Sequence, residues 1–124
     1  MGSKKHNLTE EQQKLLPLTP AVFFVLFALA DGEKHGYAIM QQVGTLSQGG
    51  VRMGPGTLYT TIQRLVDLEL IQEVVPAGDA DSRRRYYRLT GAGEGLFDAE
   101  LARMRDVLET ARGMKLAFTG RNPA

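Results

Sequence analysis

At 124 residues with a formal net charge of +1, the chain is sized for one domain, and its overall charge points neither to nucleic acid nor to a membrane surface. It has no cysteine, which excludes disulfides and thiolate metal sites, and its longest apolar patch, residues 21–30, is too short to cross a bilayer. The first thirteen residues are polar, so no signal peptide is expected and a cytoplasmic location fits.

Residues 1–18 are expected to form a tail carrying a short helix over 8–16. Thr9 and Gln12 stand at capping-box spacing, and Pro17 stops the helix. So little of this segment is apolar that it needs a surface to lie on. A neighbouring subunit or the C-terminal helix is the expected one. Thr19 and Pro20 then open a second helix as N-cap and first helical residue. Residues 21–30 are apolar nearly all round, the mark of a buried helix, and Asp31-Gly32 ends it. Ala38, Ile39, Gln42 and Val43 keep helical spacing in a third, shorter helix, and residues 44–50 read as a loop.

The chain is organised around residues 54–67. Gly54 is the expected N-cap and Pro55 the first helical residue. Leu58, Ile62, Leu65 and Val66 form one apolar stripe. Thr57, Thr60, Thr61, Gln63 and Arg64 fall on the other side. A face of short neutral hydrogen-bonding residues with one cation suits close approach to base edges and phosphates. With the two helices before it, this makes a helix-turn-helix in which the third helix reads. Residues 70–75 are partly alternating and β-branched, hence a strand. Residues 76–84 form a loop, and residues 85–89 alternate again as the return strand. The hairpin is basic, with Arg83, Arg84, Arg85 and Arg88 within six residues. A basic hairpin beside a helix-turn-helix is a wing, and residues 19–90 are therefore expected to be a winged-helix unit. The fold class expected is mainly α with a small antiparallel β-hairpin.

Residues 91–115 are the last element, a helix capped by Thr90. Gly91, Gly93 and Gly95 weaken its first turns by up to about 1 kcal/mol each relative to alanine. Phe97, Leu101, Met104, Leu108 and Ala111 recur at spacings of 4, 3, 4 and 3, the seam of a helix packed on a helix. This seam is read as a dimer contact and as the lining of an effector site, and residues 116–124 as a tail.

Three motifs in order resemble the PadR-type bacterial transcriptional regulators: His35-Gly36-Tyr37-Ala38-Ile39, Gly54-Pro55-Gly56-Thr57-Leu58-Tyr59 with Leu65 and Leu70-Ile71, and Arg83-Arg84-Arg85-Tyr86-Tyr87-Arg88-Leu89-Thr90 with Gly93. The resemblance covers most of the chain, from Thr19 to the end of the last helix. It implies a dimeric winged-helix protein that binds operator DNA, usually a repressor relieved by a small molecule. It places Thr57, Tyr59 and their helical neighbours on the operator and Arg83, Arg84 and Arg85 on the wing. The single C-terminal helix is similar to the shorter branch of the family, which includes multidrug-responsive repressors. This chain departs from the pattern in having Gly54 where serine is common before the proline. It also carries Asp79 and Asp81 in the wing, and it has no tryptophan, which some drug-binding members place at the dimer centre.

The remaining side chains sort as follows. Tyr59, at the edge of the apolar stripe, packs its ring and offers its hydroxyl to a phosphate. Arg64 either contacts DNA or pairs with Asp67 at i+3. Lys34 and Arg52 meet phosphates or are merely exposed. His35 is structural, at a helix start, and with only His6 as company there is no metal set. Tyr37 is read as packed, and of Tyr86 and Tyr87 one is core and the other partly exposed. No cofactor motif and no nucleophile set points to an enzyme. The rival reading is a winged-helix protein–protein interaction module without DNA binding.

Overall fold

Apolar periodicity and capping residues decide where the elements begin and end. The computed structural model describes residues 8–75 and 84–118. After a short first helix, α1 (Glu10–Gln13), the buried helix is α2 (Pro20–Leu29), started by Thr19, whose hydroxyl accepts from the Val22 N–H at 3.3 Å. Val22, Phe23, Val25, Leu26, Ala28 and Leu29 are buried on it, so it is the central post of the core. A two-residue strand, β1 (Lys34–His35), leads directly into α3 (Gly36–Leu46). The His35 ring caps α3, Nδ1 accepting from the Ala38 N–H at 3.3 Å. Thus His35 is structural, as expected. The expected loop at residues 44–50 is shorter than anticipated, because α3 continues to Leu46 and the chain turns through Gln48 and Gly49 at φ 53° and 81°.

The organising helix is α4 (Pro55–Asp67). Gly54 precedes it in an extended conformation and gives no side-chain cap. Leu58, Ile62 and Leu65 are buried and Val66 is half-buried. Burying three such side chains stabilises the docked helix by about 1.5–3 kcal/mol each, which outweighs the missing cap. The wing strands are β2 (Ile71–Val74) and β3 (Tyr86–Leu89). The sheet has three strands in the order β1-β3-β2, all antiparallel, so the expected hairpin gains a third strand. Lys34 pairs with Tyr87 and His35 with Tyr86, while Glu73 pairs with Tyr87 across the hairpin. Tyr87 is buried and Tyr86 is half-buried, edge-on to the His35 ring at 5.4 Å between centroids.

The last helix is α5 (Gly91–Arg112). The Thr90 hydroxyl accepts from the Gly93 N–H at 3.0 Å and donates to the Glu69 carbonyl at 2.7 Å, joining the cap of α5 to the end of α4. Gly93 faces the backbone of Leu70 so closely that a Cβ there would stand 2.1 Å from the Leu70 oxygen. Leu96, Phe97 and Glu100 are buried. Phe97 was expected to open the dimer seam, but it belongs to the subunit's own core. Its ring lies 5.4 Å from both Phe23 and Phe27, and only 7% of it is exposed. Glu100, 1% exposed, is a buried charge with a full set of partners. Arg103 donates to both carboxylate oxygens at 2.7 and 3.0 Å, and the Leu18 N–H donates at 3.2 Å. Hydrogen bonding from Arg103 holds the Glu100 carboxyl below its ordinary value against the opposing effect of burial, with help from the Leu18 N–H. Beyond Glu100 the helix carries exposed apolar residues: Leu101 at 40%, Met104 at 38%, Val107 at 57% and Leu108 at 49%.

The capping box at Thr9 and Gln12 forms, with reciprocal bonds of 2.9 and 3.1 Å, but the helix it opens is a single turn. Its surface is not mainly the C-terminal helix. Gln12 is buried and its Nε2 donates to the Leu68 carbonyl at 2.7 Å, just past the end of α4. The Leu18 N–H, at the far end of the segment, bonds to Glu100 of α5. Among the described residues no helix is long and apolar enough to cross a membrane.

Candidate nucleic-acid interface

With one face of α4 locked into the core, the opposite face is fixed outward. Thr57, Tyr59, Thr60, Gln63 and Arg64 are exposed, and Thr61 is half-buried. Gln63 Nε2 donates to Asp67 Oδ1 at 2.9 Å. Asp67 is therefore held by Gln63, and the alternative pairing of Arg64 with Asp67 does not occur among the described residues. Arg64 and Thr60 line a shallow groove of the outer face together with Tyr59, Gln63 and Asp67.

Wing residues stand beside this face. Arg84 and Arg85 are exposed at the entry to β3, and Arg88 is exposed opposite Gln72. Arg85 Nε lies 3.8 Å from a Glu73 carboxylate oxygen. Both partners are more than 45% exposed, so this pair is weak. Burial raises the Tyr87 phenol above its ordinary value, the nearby Glu73 adds to this, and Arg85 opposes it. Arg83, Asp79 and Asp81 lie outside the described residues.

The other residues expected at phosphates divide. Arg52 is exposed, beside Gly49 and the outer side of α3. Lys34 is not free: it is half-buried and its ammonium is paired with Asp31, whose carboxyl is lowered by that hydrogen bond and charge. Tyr37 corrects the reading as a packed residue, being 59% exposed with its hydroxyl accepting from Gln41 Nε2 at 3.3 Å. It stands with Tyr59, Arg84 and Arg85 around a cleft of about 640 Å³ between α3, α4 and β3. Sequence reasoning overlooked Tyr37 and Gly36 as parts of one site. The available signal was a glycine opening a helix without a turn to justify it. Among the described residues no cluster of His, Asp and Glu could hold a metal ion.

A polar helix face, an arginine-bearing strand beside it and an exposed seam on the last helix together describe a winged-helix regulator. The model of the transcriptional regulator PadR-like family matches residues 25–99. The chain belongs to the PadR family. Among its relatives, transcriptional regulator Rv3488 of Mycobacterium tuberculosis is 36% identical over 91 residues, covering 72% of this chain and 79% of that one. An uncharacterized 37.1 kDa protein in transposon TN4556 of Streptomyces fradiae is 41% identical over 80 residues, covering 64% of this chain; the match spans only 21% of that longer protein. The crystal structure of a PadR family transcription regulator from Clostridium difficile superposes with a TM-score of 0.63 at 21% identity, covering 76% of this chain and 96% of that one. At that identity the likeness establishes the fold. The PadR family is one of transcriptional regulators rather than enzymes, and this chain is a DNA-binding regulator of that kind.

Proposed function

We propose that this PadR-family chain is a homodimeric cytoplasmic repressor whose grip on operator DNA is relieved by a small hydrophobic effector. In this reading Thr57, Thr60, Thr61, Gln63 and Arg64 read or position on the major groove. Tyr59, Arg52 and the wing arginines Arg83, Arg84 and Arg85 take the phosphates. Leu101, Met104, Leu108 and Ala111 join two copies, residues 91–115 serving as the dimerisation helix and residues 19–90 as the DNA-binding unit. Two copies of α4 then address successive major grooves about 34 Å apart.

One observation supports this most. The apolar stripe of α4 is fully used inside the subunit, while the apolar seam of α5 past Glu100 is left open to solvent. A row of exposed leucine and methionine on one helix is covered in most proteins of this size by a second copy. An effector lodged between the paired α5 helices acts only if it favours one spacing of the two α4 helices over another.

The test is a gel shift on the promoter fragment upstream of the protein's own gene, with excess nonspecific competitor, run alongside sedimentation velocity. A dimer that shifts the fragment is expected. Replacing Arg83, Arg84 and Arg85 by alanine weakens binding to all sequences and lowers the salt slope by about 0.9 for each phosphate that is no longer neutralised. A monomer in solution, or an unchanged salt slope, contradicts the proposal. A stable dimer that shifts no DNA favours a protein-binding module instead.

A further inference from the structure

The cleft between the start of α3, the outer face of α4 and the base of β3 has a lining suited to one kind of ligand. Its polar groups are the phenols of Tyr37, Tyr59 and Tyr87, the guanidiniums of Arg84 and Arg85, the His35 ring, whose Nδ1 already caps α3, and the Gln63 amide already given to Asp67. Among the described residues no carboxylate lines it, although Glu73 stands 3.8 Å from Arg85 Nε and offsets part of its charge. A lining of hydroxyl donors and cations takes an oxyanion, an acceptor on every side.

Two of the donors are unspent. Gln41 donates to the Tyr37 oxygen, which leaves the Tyr37 proton available. Among the described residues the Tyr59 hydroxyl takes part in no hydrogen bond. The Tyr59 hydroxyl is also held in place by an unusual contact. A Cβ on Gly36 would stand 2.0 Å from that oxygen and 2.6 Å from the ring carbon bearing it. Gly36 is not among the residues with positive φ, so its backbone does not demand glycine. The space its Cβ would take is filled by the end of the Tyr59 side chain, which would have to turn aside.

We infer that this cleft seats a single backbone phosphate of the bound duplex, held jointly by the Tyr37 and Tyr59 hydroxyls and the Arg85 guanidinium. Gly36 is the positioning residue that lets Tyr59 lie into it. The inference rests on the operator-binding reading above. Base edges present donors and acceptors in mixed order, whereas a phosphodiester offers only acceptors, which is what this lining fits. The helix before the reader crosses the backbone in helix-turn-helix complexes, and Tyr37 stands at its first turn.

The experiment uses the full chain and a duplex that it selects from a random-sequence library. Tyr37→Phe and Tyr59→Phe should each weaken binding by about tenfold or more, the worth of a hydrogen bond to a charged group. Neither should alter the salt slope, since neither removes a charge, whereas Arg85→Ala should lower it by about 0.9. Methylphosphonate, placed at one phosphate after another, should find a position whose neutralisation costs the wild type more than the double variant Y37F/Y59F, which keeps only the Arg85 contact to it. Affinity losses in that double variant should fall short of the product of the single ones, because both groups serve one phosphate. Gly36→Ala should lower affinity by turning the Tyr59 phenol aside, with little change in melting temperature. In a Tyr59→Ala background the same change should leave melting where Tyr59→Ala alone puts it, without restoring affinity. If Tyr37→Phe binds the duplex like the wild type, or no phosphate shows the coupling, the seat is wrong while operator binding stands. If Gly36→Ala keeps wild-type affinity, its positioning role is wrong. If no duplex is selected at all, the operator reading fails and the seat fails with it.

Discussion

Adding one methyl group at Gly93 should unfold the protein more easily, although the same change at Gly44 should strengthen it. Alanine in place of glycine within a helix gains about 1 kcal/mol from propensity alone. At Gly93 the added carbon would lie 2.1 Å from the Leu70 oxygen and 3.1 Å from the carbonyl carbon. Carbon and oxygen come no nearer than about 3.3 Å even in a weak C–H···O contact, so α5 and the start of β2 must part by about 1 Å. Leu70 cannot yield cheaply. It is fully buried, its N–H donates to the Leu65 carbonyl at 2.9 Å, and its oxygen accepts from the Thr90 N–H at 3.0 Å. Overfilling a packed core costs about 1–3 kcal/mol, and stretching the Thr90 bond adds about 1 kcal/mol. Set against the propensity gain, the net loss is about 1–3 kcal/mol. Gly44→Ala in α3 is the control, since its Cβ would meet nothing within 4 Å, and it should gain about 0.4–1 kcal/mol. Urea unfolding of both variants at one protein concentration gives the comparison, because the proposed dimer would make apparent stability depend on concentration. Two shifts of the same sign, or a Gly93→Ala protein as stable as the parent, would refute the contact argument.

Three further outcomes are expected. Glu100 has a folded-state carboxyl below its ordinary value, so its contribution is complete above the unfolded value and is lost as pH falls through the folded one. Glu100→Gln should therefore be less stable than the parent at neutral pH, with the gap closing below about pH 4; a gap that stays constant in acid would contradict this. Leu101→Glu with Leu108→Glu should give monomers by sedimentation velocity that still fold, since both side chains are already substantially exposed within the subunit. Persistent dimers would move the interface elsewhere. Gly54 has φ −76° and ψ 171°, and a Cβ there would meet nothing within 4 Å, so Gly54→Ser introduces no strain and should add a cap. The expected gain is a few tenths of a kcal/mol, about the difference between glycine and serine caps, and a lower melting temperature would count against it.

Most of the helical framework was legible because its signals are local. Thr19, Thr90, His35 and Pro55 mark helix starts by their own chemistry, and α2 and α4 announce buried faces through residue spacing. What escaped depends on pairings distant in sequence. Strand β1 is two residues between helices, too short to show alternation, and it exists because Lys34 and His35 meet Tyr87 and Tyr86 more than fifty residues away. Phe97 and Leu101 carry the same spacing signal, yet one is core and the other surface. Heptad periodicity reports which side of a helix is apolar, not where along it the subunit's own core ends. Tyr37 was misread for a similar reason: an aromatic ring at a helix start does not reveal whether a neighbouring element covers it. In the candidate site, α4 and the wing strand were placed from sequence, but the approach of Tyr59 to Gly36 was not, since it joins two helices through a contact that spacing does not encode.

The N-terminal strap has a mechanical consequence. Through Gln12 it is fastened to Leu68 behind the reading helix, and through Leu18 to Glu100 where the last helix leaves the body. A helix rises about 1.5 Å per residue, so the stretch from Glu100 to Arg112 is a lever of about 18 Å. Tilting that lever by about 10° would carry its tip about 3 Å while its base stays bonded to a strap that also reaches the residue just past α4. A molecule wedged between two such levers would be felt as a change in the distance between their grooves.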